Sequence, residues 1–319
     1  DEVLATIRKR FERYGIKMTS NNERQALVLR DAEVLDNPRG SAPGLLVQHK
    51  QAMIAMLPGP PKEMQPMFAE HVQPRLEKLS RGVRVCKRVM RTSGLGESTL
   101  DQKIAPIYGR YSNPSTTVLA GAGEVEIHLT ATAETAEAAE ALLDDLAEQI
   151  EDALHPAVYS HRGESLEEIV GLGMTVKGYT IATAESCTGG LIAKRLTDVP
   201  GSSVYFLEGV VSYSNEAKHD LLGVPAELIE DHGAVSPHVA EAMAKGIKRR
   251  SGATIGLSVT GIAGPDGGSD EKPVGLVYIA VADDIRVESK EFRLFGERAD
   301  IRQRASQVAL DWVRRRYLM

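Results

Sequence analysis

Three observations predict a multidomain α/β fold: a length of 319 residues, a helix–strand alternation from residue 164 to the end, and an earlier stretch in α+β order. A chain of this length supports two or three domains, each burying its own core. Hydrophobic residues make up 42% and no apolar run could span a bilayer, so a soluble globular protein without a membrane role is expected. The net charge of −6 argues against general nucleic-acid binding, which clustered Lys and Arg drive, but allows a local basic pocket for a small phosphate. Cys86 and Cys187 lie far apart and fit no metal-ligand spacing, which favours a reduced, cytoplasmic setting. Asp1 is not a start methionine and no signal-peptide pattern follows it, so an upstream part is expected.

Residues 1–14 place Val3, Leu4, Ile7, Phe11 and Tyr14 at helical spacing, with Gly15 as a stop. Short apolar runs follow at 44–47 and 52–57, and the unit to about residue 80 is α/β in style. The prolines at 58, 60 and 61 then open a helix carrying Met64, Met67, Phe68, Val72 and Leu76, since proline at a helix's first turn leaves no extra amide unpaired. A strand (83–92), a helix (97–108), strands (116–120 and 124–132) and a long helix (134–153) form a small α+β module. The carboxylates between Glu134 and Asp152 lie opposite the stripe Leu142, Leu143, Leu146 and Ile150 and read as a solvated face. Residues 155–163, with Pro156 and Gly163, read as a linker. The predicted domains are 1–80, 81–160 and 161–319.

The last domain reads helix 164–177, strand 179–185, helix 191–197, strand 204–213, helices near 215–222 and 237–250, strands 254–260, 274–282 and 286–294, and helix 298–317. Ser186 falls at a strand's carboxyl end, before Thr188-Gly189-Gly190 and a helix start, where open α/β sheets place ligands and backbone amides meet anions. Such a turn serves either a nucleophile or packing. Lys218 is either a surface lysine or a desolvated base; as a base it must be neutral, which requires a pKa pulled down by burial. Cys187 also competes as a nucleophile, but neighbours in extended backbone face opposite sides, which favours Ser186. His219, His232 and His238 have no motif-placed partner. The loop after Thr260, with Gly261, Gly264, Gly267 and Gly268, is either an anion nest or a long hairpin connection, and fits no nucleotide-loop pattern.

Taken together, Ala184-Glu-Ser-Cys-Thr-Gly-Gly190, Tyr213-Ser-Asn-Glu-Ala-Lys218, His232-Gly-Ala-Val-Ser236 and Thr260-Gly-Ile-Ala-Gly-Pro-Asp-Gly-Gly268 closely resemble the C-terminal domain of the CinA family, a nicotinamide mononucleotide deamidase. The resemblance implies a layered α/β amidohydrolase domain over about residues 161–319, with Ser186 as nucleophile and Lys218 as its base. It further implies that Ser203, Tyr213, Thr260 and Arg298 line the substrate site. Amides near Thr188, Gly189 and Gly190 are candidates for the oxyanion, and Gly261 and Gly264 belong to the substrate loop. No metal or other cofactor is called for. The implied partners are a small nucleotide substrate and a second subunit in a homodimer.

Residues 1–80 resemble the later half of the family's molybdopterin-binding-like α/β domain through Asn21-Asn-Glu-Arg-Gln-Ala26, Gly40-Ser-Ala-Pro-Gly44 and Leu57-Pro-Gly-Pro-Pro-Lys-Glu-Met64. The earlier half, with its paired-Asp block, is not in this sequence, which counts against the ADP-ribose pyrophosphatase activity associated with that domain. A non-enzymatic, nucleotide-sensing role related to competence or DNA damage is the remaining alternative.

Overall fold

The computed structural model describes residues 2–13, 15–50, 52–79 and 82–319, which fall into two compact units, 1–83 and 84–319. The first unit runs α1 (Glu2–Arg13), α2 (Ser20–Glu23), β1 (Glu33–Leu35), β2 (Gly44–His49), β3 (Ala52–Met56), α3 (Pro61–Met67) and α4 (Gln73–Leu79), with a π-helical turn joining the last two helices. The three strands form an antiparallel sheet in chain order. Leu35, Leu46, Met67 and Val72 make its small core. Ile7 is the buried residue of α1's apolar stripe; Tyr14 lies outside the described residues.

The second unit starts with the α+β module: β4 (Arg84–Ser93), α5 (Glu97–Tyr108), β5 (Ser115–Ala120), β6 (Glu124–Ala133), α6 (Ala136–Leu154) and β7 (Val158–Ser160). Its antiparallel sheet has the order β5-β6-β4-β7 and is covered by the α6 stripe Leu143, Leu146 and Ile150. The expected linker is therefore corrected, because residues 158–160 are a fully buried edge strand. Val158 packs into the module's core, whereas Tyr159 packs into the core that follows, so alternation along three residues serves two cores at once.

The remainder comprises α7 (Leu166–Lys177), β8 (Ile181–Glu185), α8 (Leu191–Asp198), β9 (Phe206–Val211), α9 (Asn215–Leu222), α10 (Ala226–His232), α11 (Pro237–Ser251), β10 (Ile255–Gly261), β11 (Leu276–Ala282), β12 (Val287–Arg293) and α12 (Arg298–Val313). The sheet order is β12-β11-β10-β8-β9, with β9, β8 and β10 parallel and the last two strands antiparallel. In β10, Ile255, Leu257 and Val259 face α7, α8 and α12. On its other face Gly256 and Ser258 leave room for α11; a Cβ on Gly256 would come within 2.2 Å of the Ala244 carbonyl oxygen, and Ser258 Oγ donates to Ala240 O at 2.6 Å. Helix α10 was not foreseen, and α12 ends at Val313 before a π-helical turn.

Candidate active site

Topology alone gathers three of the predicted positions. The chain goes from β8 to β9 on one side and returns to β10 on the other, so the carboxyl ends of three parallel strands flank a switch point. Ser186 follows β8, Ser212 and Tyr213 follow β9, and Thr260 lies at the end of β10. The Ser186 amide donates to Val259 O and the Ser212 amide to Glu185 O, which extends the ladder up to the site.

Lys218, on the first turn of α9, turns inward. Ser214 caps that helix by accepting from the Ala217 amide at 3.1 Å, and Lys218 is 1% exposed. Its Nζ stands 3.3 Å from Ser186 Oγ, and donates to Ser212 O at 2.9 Å and Tyr213 O at 3.4 Å. Burial holds the Lys218 pKa below the usual lysine value, because the charged form loses hydration that the carbonyls only partly replace. Ser186 is 9% exposed, more than its neighbour Lys218. Cys187 turns into the hydrophobic core, where burial pushes its thiol up to about 12.

Arg298 opens α12 and closes the rim: it donates to Gly264 O at 2.7 Å and to the Tyr213 hydroxyl at 2.9 Å. The loop of residues 262–275 connects antiparallel strands β10 and β11, so the hairpin reading is the one that holds, with Gly264 contributing its carbonyl. Thr260 Oγ1 donates to Ala234 O at 2.8 Å, and Gly261 is a close-approach residue whose Cβ would meet Leu276 O at 2.7 Å. Both hold the end of β10 against its neighbours.

Two expectations need correction. Ser203 sits in the short turn that precedes β9, exposed, at the opposite end of the sheet from Ser186, because β8 and β9 run parallel. The start of α8 is also not a free anion site: the Glu185 carboxylate, 1% exposed, already accepts from the Ile192 and Ala193 amides at 3.1 and 2.8 Å. In the turn itself the Gly189 amide donates to Ser186 O, while the Gly190 amide has no such acceptor among the described residues. Thr188 Oγ1 is buried without a partner. The histidines stay apart from this cluster, with His232 and His238 stacked on each other at 3.9 Å.

Residues 163–317 match the family model of the CinA C-terminal domain, and residues 87–160 match that of the damage-inducible protein CinA KH domain. A CinA-like protein of Koribacter versatilis (strain Ellin345) is 48% identical over 321 residues, covering 99% of this chain and 78% of that protein. The chain belongs to the CinA family. A putative competence-damage inducible protein of Caldicellulosiruptor bescii is 43% identical, over 100% of this chain and 77% of its own length. Among solved structures, the competence/damage inducible protein CihA from Agrobacterium tumefaciens is 45% identical, covering 46% of this chain and 91% of that one with a TM-score of 0.46.

Two side chains of this CinA-family site escaped sequence reasoning. Glu185 holds the helix start behind Ser186, and its signal was an acid at a strand's end, seven residues before a helical amide. Arg302 clamps the Thr188 carbonyl through Nε at 3.3 Å and an Nη at 2.8 Å. It lies one helical turn after Arg298, on the same face, a spacing that could have drawn attention to it.

Proposed function

We propose that this CinA-family protein hydrolyses the carboxamide of nicotinamide mononucleotide to nicotinic acid mononucleotide and ammonia, in the cytoplasm and as a homodimer. The observation that carries the reading is the buried amine of Lys218, 3.3 Å from Ser186 Oγ, with its pKa held down by burial. A neutral amine at that distance can take the serine proton, which an unassisted hydroxyl does not release at neutral pH. The substrate is carried over from the resemblance of the motifs at 184–190, 213–218, 232–236 and 260–268 to the deamidase domain of the family.

Ser186 Oγ adds to the carboxamide carbon as its proton passes to Lys218. The tetrahedral oxyanion lies toward the Thr188–Gly190 turn, where the free Gly190 amide is the donor the geometry offers. Lys218 returns the proton to the amine nitrogen, ammonia leaves, and a nicotinoyl ester remains on Ser186. Water then attacks the ester, giving its proton to Lys218, and the acid is released as Ser186 recovers a proton. Arg298, with free surface and a charged donor fork, is the group suited to the substrate phosphate. Tyr213, bonded to it, lines the rim.

The test is ammonia release from nicotinamide mononucleotide without added metal. Ser186→Ala should lower turnover by about 10³-fold or more while leaving the fold intact. A purified Ser186→Ala protein that turns over at the wild-type rate would falsify the assignment.

A further inference from the structure

Two cavities away from Ser186 share a wall, the turn that joins β11 to β12. Ala282 pairs with Gly256, and Ile255 with Ile181, so this turn stands beside the amino ends of β10 and β8. Ser186 follows the carboxyl end of β8, at the other end of the sheet. Asp283, Asp284 and Ile285 of the turn line both cavities. One is an open cleft of about 570 Å³, walled by Lys245, Lys248, Arg249 and Arg286. The other, of about 280 Å³, is walled by Tyr179, Thr254, Ile255 and Tyr317.

The cleft carries positive charge that the protein does not neutralise. Lys248 donates to Asp284 at 2.5 Å. Asp283 is taken up by Arg316 at 3.0 Å, by the Tyr317 hydroxyl at 2.8 Å and by the amides of Ile285 and Arg286. Among the described residues, the side chains of Lys245, Arg249 and Arg286 have neither an ion-pair nor a hydrogen-bond partner, and all three are exposed. Cations in the last turn of a helix complement its dipole, which accounts for Lys248 and Arg249 of α11. It does not account for Lys245, which precedes that turn, or for Arg286, which comes from another element. The second cavity is opposite in kind, with two tyrosines and an isoleucine in its wall, and Ile285 stands 92% exposed at the shared rim.

We propose that the two cavities together bind a nucleotide carrying at least two phosphates, with the phosphates in the cleft and the base against Tyr179. Guanidinium forks and ammonium groups are the donors that phosphate oxygens take, and three uncompensated cations balance a diphosphate better than the single phosphate of a mononucleotide. The flat, largely apolar neighbour suits an aromatic base, and stacking on tyrosine accepts any base. Asp284 holds Lys248 away from such a ligand and is the group the phosphates displace. The site is independent of the amidase reading.

The experiment is calorimetric titration of the full chain with ADP, AMP and inorganic pyrophosphate, without divalent metal, at about 150 mM ionic strength. ADP should bind at least about fivefold more tightly than AMP or pyrophosphate, since each lacks part of what the two cavities hold. Arg249→Gln with Arg286→Gln should weaken ADP at least about tenfold with little change in melting temperature, because both side chains are exposed. Asp284→Asn frees Lys248 and should tighten ADP about twofold or more. Tyr179→Ala should weaken ADP about fivefold or more and leave pyrophosphate unchanged, whereas Tyr179→Phe keeps the ADP affinity. Arg298→Ala, at the other end of the sheet, should bind ADP as the wild type does. A wild type that does not bind ADP, or binds pyrophosphate equally well, overturns the proposal. So does ADP binding that survives the double glutamine change or Tyr179→Ala, is weakened by Asp284→Asn, or is lost in Arg298→Ala.

Discussion

Replacing Glu185 by alanine removes the carboxylate that satisfies the start of α8. Its two oxygens accept from the Ile192 and Ala193 amides, and the side chain is 1% exposed, so truncation leaves both donors without a partner. A buried unpaired amide costs about 1–3 kcal/mol. Ile192 is fully buried but Ala193 is half-buried and partly reached by water, so the expected loss is the lower part of the sum, about 2–4 kcal/mol. Trp312 is the chain's only tryptophan and packs in the same core as Ile192, so its fluorescence follows the relevant unit during urea unfolding. Glu185→Gln keeps one acceptor oxygen and should lose less than half as much. Turnover should fall along with stability in Glu185→Ala, because the Ser186 turn is held from behind by this contact. A loss under about 1 kcal/mol would refute the capping argument, since it would mean that water replaces the carboxylate at no cost.

Three further outcomes are expected. Lys218 binds its proton less tightly folded than unfolded, so between the two pKa values the unfolded chain carries more protons and stability rises with pH toward 10.5. Thermal melts across neutral to alkaline pH should show that rise in the wild type and a flatter profile in Lys218→Met, and turnover should climb along a limb centred below 10.5. With its thiol near 12, Cys187 carries a thiolate fraction of about 10⁻⁴ at pH 8, so Cys187→Ala should stay within about threefold of wild-type turnover and iodoacetamide should label the position slowly; an inactive Cys187→Ala of intact fold would return the thiol to candidacy. Arg195→Met leaves the Glu167 carboxylate without its partner at 2.6 Å, in a pair whose side chains are 8% and 19% exposed, and should cost about 3–5 kcal/mol, mostly recovered by adding Glu167→Leu.

Local chemistry made much of this molecule readable in advance. The alternation of β6, the α6 Leu stripe and the Ser165–Glu168 capping box before α7 all announce their elements within a few residues. Residues 158–160 did not, because three residues flanked by proline and glycine carry too little periodicity, and only the two cores they join make them a strand. Ser203 was assigned to the site, together with Tyr213, by the family resemblance. Parallel pairing of β8 and β9 puts a strand's length between them.

By itself the sequence determined the α/β class, the CinA family and the turn that presents Ser186, since each follows from periodicity, glycine placement and motif within short windows. The tertiary structure decided the rest: that Lys218, 32 positions on, turns into the core beside Ser186, that Glu185 occupies the helix start, and that Ser203 stands apart. Residue types and local spacing fix which conformations each segment prefers. The protonation and reach of a side chain depend instead on which distant segments strip it of water, and the packing of strands and helices together settles that.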